Sequence, residues 1–134
     1  MSDNPIDDAQ NRRPHTPSMS GPFLELDLSR EVAQLRHEPE WASGQNARTL
    51  IKYDDLRVVL TTLAAGAGLP GHSTRGRITI QVLSGHVRVR SGERTFDLPA
   101  GRLLALDQGV PHDVEAVQES AFLLTIAWPV APSG

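Results

Sequence analysis

The sequence predicts an all-β protein with one short helix near its N-terminus, and three observations lead there. From about residue 50 onward, apolar residues alternate with polar ones over short runs. Clusters of Gly, Pro, Asp and Ser separate those runs at close, regular spacing. A helical spacing, Val32 with Leu35, comes before them and ends at Pro39.

Residues 1–21 are Asp, Asn, Pro, Arg and Ser with almost nothing to bury, so a disordered tail is expected there. His15 falls in that tail and is discounted. Residues 22–134 are expected to form one domain, because a chain of 134 residues fits a single core and buries roughly two-thirds of its unfolded surface. Phe23–Leu28 reads as a short strand. Ser29 or Asp27 caps the helix that follows, on which His37, between Arg36 and Glu38, reads as a solvated side chain.

Leu56, Val58 and Leu60 alternate with Arg57, Val59 and Thr61, and Gly66–Gly71 reads as a turn. Ile78, Ile80 and Val82 then share one face, with Thr79, Gln81 and Leu83 on the other, closed by Ser84-Gly85. Val87 and Val89 alternate with His86, Arg88 and Arg90, the pattern of an antiparallel strand with one solvated face. Further strands are expected at Thr95–Leu98, Leu103–Leu106, Val110–Ala116 and Ala121–Trp128. Many short strands with closely spaced turns predict a jelly-roll β-barrel or sandwich. No internal repeat interrupts the reading.

Composition narrows the function. The net charge of -3, with both signs mixed along the chain, gives no basic stripe for nucleic acid or an acidic membrane surface. Cysteine is absent, which excludes disulfides, thiolate metal sites and a cysteine nucleophile. No apolar run approaches the ~20 residues of a membrane helix, and the polar, acidic N-terminus is unlike a signal peptide. A cytoplasmic protein is expected.

Two stretches carry glycine and histidine at spacings that form a pair of motifs. In the first, Gly66 opens, His72 stands at the first histidine, Thr74 at the second, Ile78 at the glutamate, and Gly85 closes. In the second, Gly101 opens, Asp107 replaces the proline, Gly109 matches, His112 falls on the histidine and Ala116 replaces the asparagine. Together these stretches resemble the paired motifs of the cupin superfamily, and the segment between them has the short length of small single-domain cupins. The resemblance implies a barrel core over about residues 50–128. It also implies a metal site of three imidazoles and one carboxylate for iron, manganese, nickel or zinc, of which only His72 and His112 remain here. Two imidazoles hold a divalent transition metal weakly unless another group is borrowed, and Gln81, Asp113 and Glu115 lie on the opposite strand face. His86, just past the turn, reads as a surface residue.

The leading expectation is a small organic ligand in a barrel pocket lined by Ile78, Ile80, Val82, Leu104 and Val114, with His72, Thr74 and His112 as its polar groups. The rivals are a metal-dependent dioxygenase or isomerase with a two-histidine site, a metal-free acid-base catalyst using the histidines, and a regulatory or dimerisation module. A homodimer is expected, with Ala121–Trp128 and the N-terminal strand as its interface or exchanged strand. Arg75 and Arg77 read as an oxyanion clamp or as solvated residues, and Arg88 and Arg90 as an outer face. Trp41, Phe96, Phe122 and Trp128 read as core or interface packing.

Overall fold

The computed structural model describes residues 22–72 and 75–129, with only the backbone of His72. The expected tail, His15 and Thr74 lie outside the described residues. Residues 22–27 form no strand; the chain enters helix α1 (Leu28–His37) directly, and Asp27 caps it by accepting a hydrogen bond from the Arg30 N–H at 3.2 Å. A 3-10 turn, Pro39–Ser43, ends at Gly44.

Among the described residues nine strands follow: β1 (Gln45–Lys52), β2 (Leu56–Leu63), β3 (Gly68–His72), β4 (Arg77–Ser84), β5 (His86–Ser91), β6 (Arg94–Pro99), β7 (Leu103–Leu106), β8 (His112–Ala116) and β9 (Ser120–Ala127). They form two antiparallel sheets ordered β1-β2-β9-β4-β7 and β3-β8-β5-β6, consistent with the cupin jelly roll.

The period-two pattern places the core. Ile78, Ile80 and Val82 of β4, Val87 and Val89 of β5, Val114 and Ala116 of β8 and Phe122 of β9 are all buried in one cluster between the sheets. The outer face of the larger sheet carries a second cluster, where Leu35 of α1 packs on Leu50 and Leu60. Helix α1 thus covers a sheet face that would otherwise expose Leu60, Leu83 and Leu123.

Two further expectations need correction. β1 was not expected as a strand, because its buried residues include Asn46 and Arg48. Arg48 is 1% exposed. Its guanidinium meets the Glu31 carboxylate and lies 3.2 Å from that of Glu38, both reaching down from α1 and its C-terminus. Asn46 Nδ2 donates to the Leu35 carbonyl and to Glu38, each at 2.9 Å. Second, part of the expected Gly66–Gly71 turn is strand β3. This is an edge strand, where Pro70 removes no ladder bond that the sheet needs, and its register shifts between Leu69 and His72. The segment Ala121–Trp128, expected at a dimer interface, is largely β9, hydrogen-bonded to β2 on one side and β4 on the other. Among the described residues no helix is long and apolar enough to cross a membrane.

Candidate functional site

The first cupin-like motif runs through β3 and β4 and the second through the β7–β8 turn. All four motif glycines, Gly66, Gly85, Gly101 and Gly109, have positive φ. Gly85 is the most constrained: at φ 83, a Cβ would lie 2.2 Å from the Glu119 carbonyl oxygen and 2.4 Å from Ser120 Oγ.

The register pairs His72 of β3 with His112 of β8, Cα opposite Cα, at the end of the small sheet where β3 leaves for β4 and β8 begins. His112 is 7% exposed and alternates in phase with Val114 and Ala116, so it takes the barrel-facing side. Its Nδ1 lies 3.1 Å from the Val110 carbonyl. A carbonyl only accepts, so this contact requires a proton on Nδ1 and makes Nε2 the acceptor of the neutral ring.

The neighbouring motif positions depart from the family pattern in ways the structure explains. Asp107, in place of proline, shapes the β7–β8 turn by accepting from the Gln108 N–H at 2.8 Å, and it pairs with Arg77 at 3.0 Å. That pairing engages one of the two arginines considered as an oxyanion clamp. Ala116 is buried, its N–H and C=O bonded to Ala67 and Gly66. Ile78, in the glutamate's position, is 3% exposed inside the apolar core with Ile80, Val82 and Val114, and Leu104 packs against them half-buried.

These residues do not fit the family's metal set. The carboxylate's place holds a hydrocarbon, and no group of three or more His, Cys, Asp or Glu able to hold a metal converges among the described residues. The borrowed ligands considered from sequence are engaged elsewhere or face outward. Gln81 is exposed; Asp113 accepts from the Gly71 N–H, bridging β3 to β8 across the register shift. Glu115 pairs with Arg90 at 3.3 Å. His86 lies 3.2 Å from Asp97, which Arg88 also meets at 2.9 Å. The guanidinium of Arg88, then the imidazole of His86, hold the Asp97 carboxyl below its ordinary range.

The same end of the barrel carries a feature that no motif marks: an open cleft of about 830 Å³. Its walls include Lys52, Tyr53, Asp54 and Arg57 from the β1–β2 hairpin, Arg75 from the β3–β4 connection, Gln108 and Trp128. The register shows how it is placed. Lys52 pairs with Arg57, Arg57 with Ile126, and Ile126 with Ile78. Opposed residues share a face, so the two cations stand in one row with the core residues Ile126 and Ile78, on the barrel side of the sheet. Trp128, expected in packing, forms a wall of this cleft, with the Arg57 guanidinium 5.3 Å from its ring centre. Sequence reading passed over the hairpin because Lys-Tyr-Asp-Asp resembles any solvated turn.

The family model for the cupin domain matches residues 59–127, and the chain belongs to the cupin family. Solved structures agree on the fold. A conserved protein of unknown function from Streptococcus pyogenes is similar over 90% of this chain and 100% of its own, at 24% identity and TM-score 0.67. An RmlC-like cupin from Desulfovibrio desulfuricans is similar over 85% and 97%, at 24% identity and TM-score 0.60. A variant of salicylate 1,2-dioxygenase from Pseudoaminobacter salicylatoxidans is similar over 90% of this chain but 41% of its own, at 16% identity and TM-score 0.69. No curated protein matches this chain.

Proposed function

We propose that this cupin binds a small organic ligand at the mouth end of its barrel interior, with His72 and His112 as the polar contacts. Ile78, Ile80, Val82, Leu104 and Val114 form the apolar floor of that site. The observation that carries this reading is His112: an imidazole 7% exposed, set on an apolar face and oriented by the Val110 carbonyl. An anchored imidazole beside apolar walls supplies one directional acceptor, and on protonation a second donor, which is the equipment for holding or exchanging a proton with a bound molecule.

One observation favours a second reading, a metal-dependent dioxygenase or isomerase with a reduced site. An Nδ1–H bonded to a backbone carbonyl is how ligating imidazoles are commonly oriented. The hydrocarbon at Ile78 and the cations Lys52 and Arg57 in its row weigh against it.

Elemental analysis of purified protein, followed by thermal-shift screening of small acids and aromatics on the same sample, separates the two. Metal-free protein should be stabilised by at least one compound, and the His112→Ala variant should lose the effect. A ligand at a hundred times its Kd adds about 2.7 kcal/mol of stability, well within reach of the method. Near-stoichiometric iron, manganese, nickel or zinc, lost in both His72→Ala and His112→Ala, would replace this reading with the second.

A further inference from the structure

We infer that the part of the large sheet's outer face left bare by α1 is a contact surface for a second copy of this chain, the two faces meeting about a two-fold axis.

The strand pairings define that face. Ile51 lies opposite Val58, Val58 opposite Thr125, Thr125 opposite Thr79 and Thr79 opposite Ala105, so one row crosses all five strands without a charged side chain. The next row starts at Arg48, sealed beneath α1, and runs through Leu60, Leu123 and Gln81 to Leu103. Its β2 end is covered, because Leu35 packs on Leu60. Its β7 end is bare: Gln81 is exposed, Leu103 is 63% exposed, and Ala105 beside it is exposed. In a chain with 22% charged residues, uncharged rows ending in a bare leucine have the composition of a covered surface. The small sheet's outer face is the contrast, since Arg88 pairs there with Asp97 and Arg90 with Glu115, as on a wetted surface.

The remaining parts of the chain are poorly equipped to cover the patch. Residues 1–21 offer Met1, Ile6, Ala9 and Met19 among Asp, Asn, Arg, Pro and Ser, and residues 130–134 are Val-Ala-Pro-Ser-Gly.

Charge selects a copy over another partner. A two-fold axis lays a surface against itself, so any net charge on it meets its own sign. This patch is neutral in its middle and balanced at its rim, where Arg77 and Asp107 are ion-paired at 3.0 Å and each faces its complement on the other copy. A partner chosen by charge has nothing here to read.

Shape and size agree. Thr, Val and Ala keep the face low, which suits the ~10 Å spacing of packed sheets. Five strands at ~4.8 Å each, two to three rows deep, offer roughly 400 Å² a side, about half of a standard interface, so the pair is reversible. Phe23, 83% exposed and three residues before Leu26 of the outer cluster, adds apolar surface near its margin. The patch lies on the opposite side of the sheet from the barrel interior, so the proposal stands independently of the ligand site.

The test is sedimentation velocity of the full chain from micromolar to submillimolar concentration. A monomer–dimer equilibrium without larger species is expected, because a two-fold contact closes on itself. Leu103→Asp, at an exposed position, and Thr125→Lys and Thr125→Glu, in the middle of the row, should each weaken it about tenfold or more with unchanged circular dichroism. Mixing the two Thr125 variants should restore association, since opposite charges then face each other. Glu93→Lys, in the β5–β6 turn, should leave the equilibrium unchanged. A monomer at every concentration would overturn the proposal and leave the face to residues 1–21 or to a different protein. A dimer indifferent to Leu103→Asp and to both Thr125 variants would place the interface elsewhere, and growth beyond dimers, or mixed Thr125 variants that stay apart, would refute the two-fold facing.

Discussion

Replacing Arg48 by methionine keeps much of the side chain's length and apolar stem but removes its charge from a place where two carboxylates depend on it. The Arg48 side chain is 2% exposed, and those of Glu31 and Glu38 are 12% and 14% exposed. With the guanidinium gone, two largely desolvated carboxylates lose their counter-charge. Breaking a buried pair by deleting one partner costs about 3–5 kcal/mol. For a folded unit of this size, each kcal/mol moves Tm by about 4 °C, so Arg48→Met should melt roughly 12–20 °C lower. The damage should be charge-specific. Arg48→Met combined with Glu31→Gln and Glu38→Gln removes the uncompensated charge and should recover a large part of the loss, because a buried ion triad exchanged for neutral groups is often close to neutral in stability. Urea unfolding followed by circular dichroism measures all three proteins. A loss under about 1 kcal/mol in the single variant, or a combined variant no more stable than the single one, would refute the assignment of Arg48 as the electrostatic anchor between α1 and the large sheet.

Two further predictions test the turn and the ion pairs. Gly85→Ala forces a Cβ onto the Glu119 carbonyl in a left-handed backbone, and unfolding experiments should show a loss of about 2–5 kcal/mol from strain and overpacking together; an effect under 1 kcal/mol would mean the β4–β5 corner shifts freely. Asp97 is depressed by Arg88 and then His86, so its contribution is fully present above the ordinary aspartate value of 3.8 and is lost as pH falls through the lower folded value. The stability gap between wild type and Asp97→Asn should therefore close on acidification, and a gap independent of pH would contradict that coupling.

The barrel was legible because its strands obey period two with few exceptions: Ile78, Ile80, Val82, Val87 and Val89 are inside, as their parity requires. The motif glycines were legible because positive φ leaves a compositional mark. His112 could be aimed inward from its parity with Val114. What escaped reading depended on partners distant in sequence. A buried Arg48 looks like a surface arginine until Glu31, 17 residues earlier, is brought over it by helix α1. The cleft escaped for the same reason: Lys52, Tyr53 and Arg57 acquire their meaning from Trp128 and Arg75, which only the pairing of β2 with β9 and of β9 with β4 brings near. Pro70 argued for a turn because a sequence does not announce which strand will lie at an edge.

The central position of β9 has a consequence for how the chain comes to be folded. Leu56 pairs with Ala127 and Arg77 also pairs with Ala127, so among the described residues the strand latest in sequence is the one that joins β2 to β4. Until it emerges from the ribosome, the two halves of the large sheet have no hydrogen-bonded link, and Leu60, Ile80 and Val82 have no finished core to enter. Closure of loops this long must precede the contacts that reward it, so folding should be slow, with a single late commitment. A nascent chain stalled before Ser120 would present two open strand edges flanking a vacant slot, the state most exposed to intermolecular pairing.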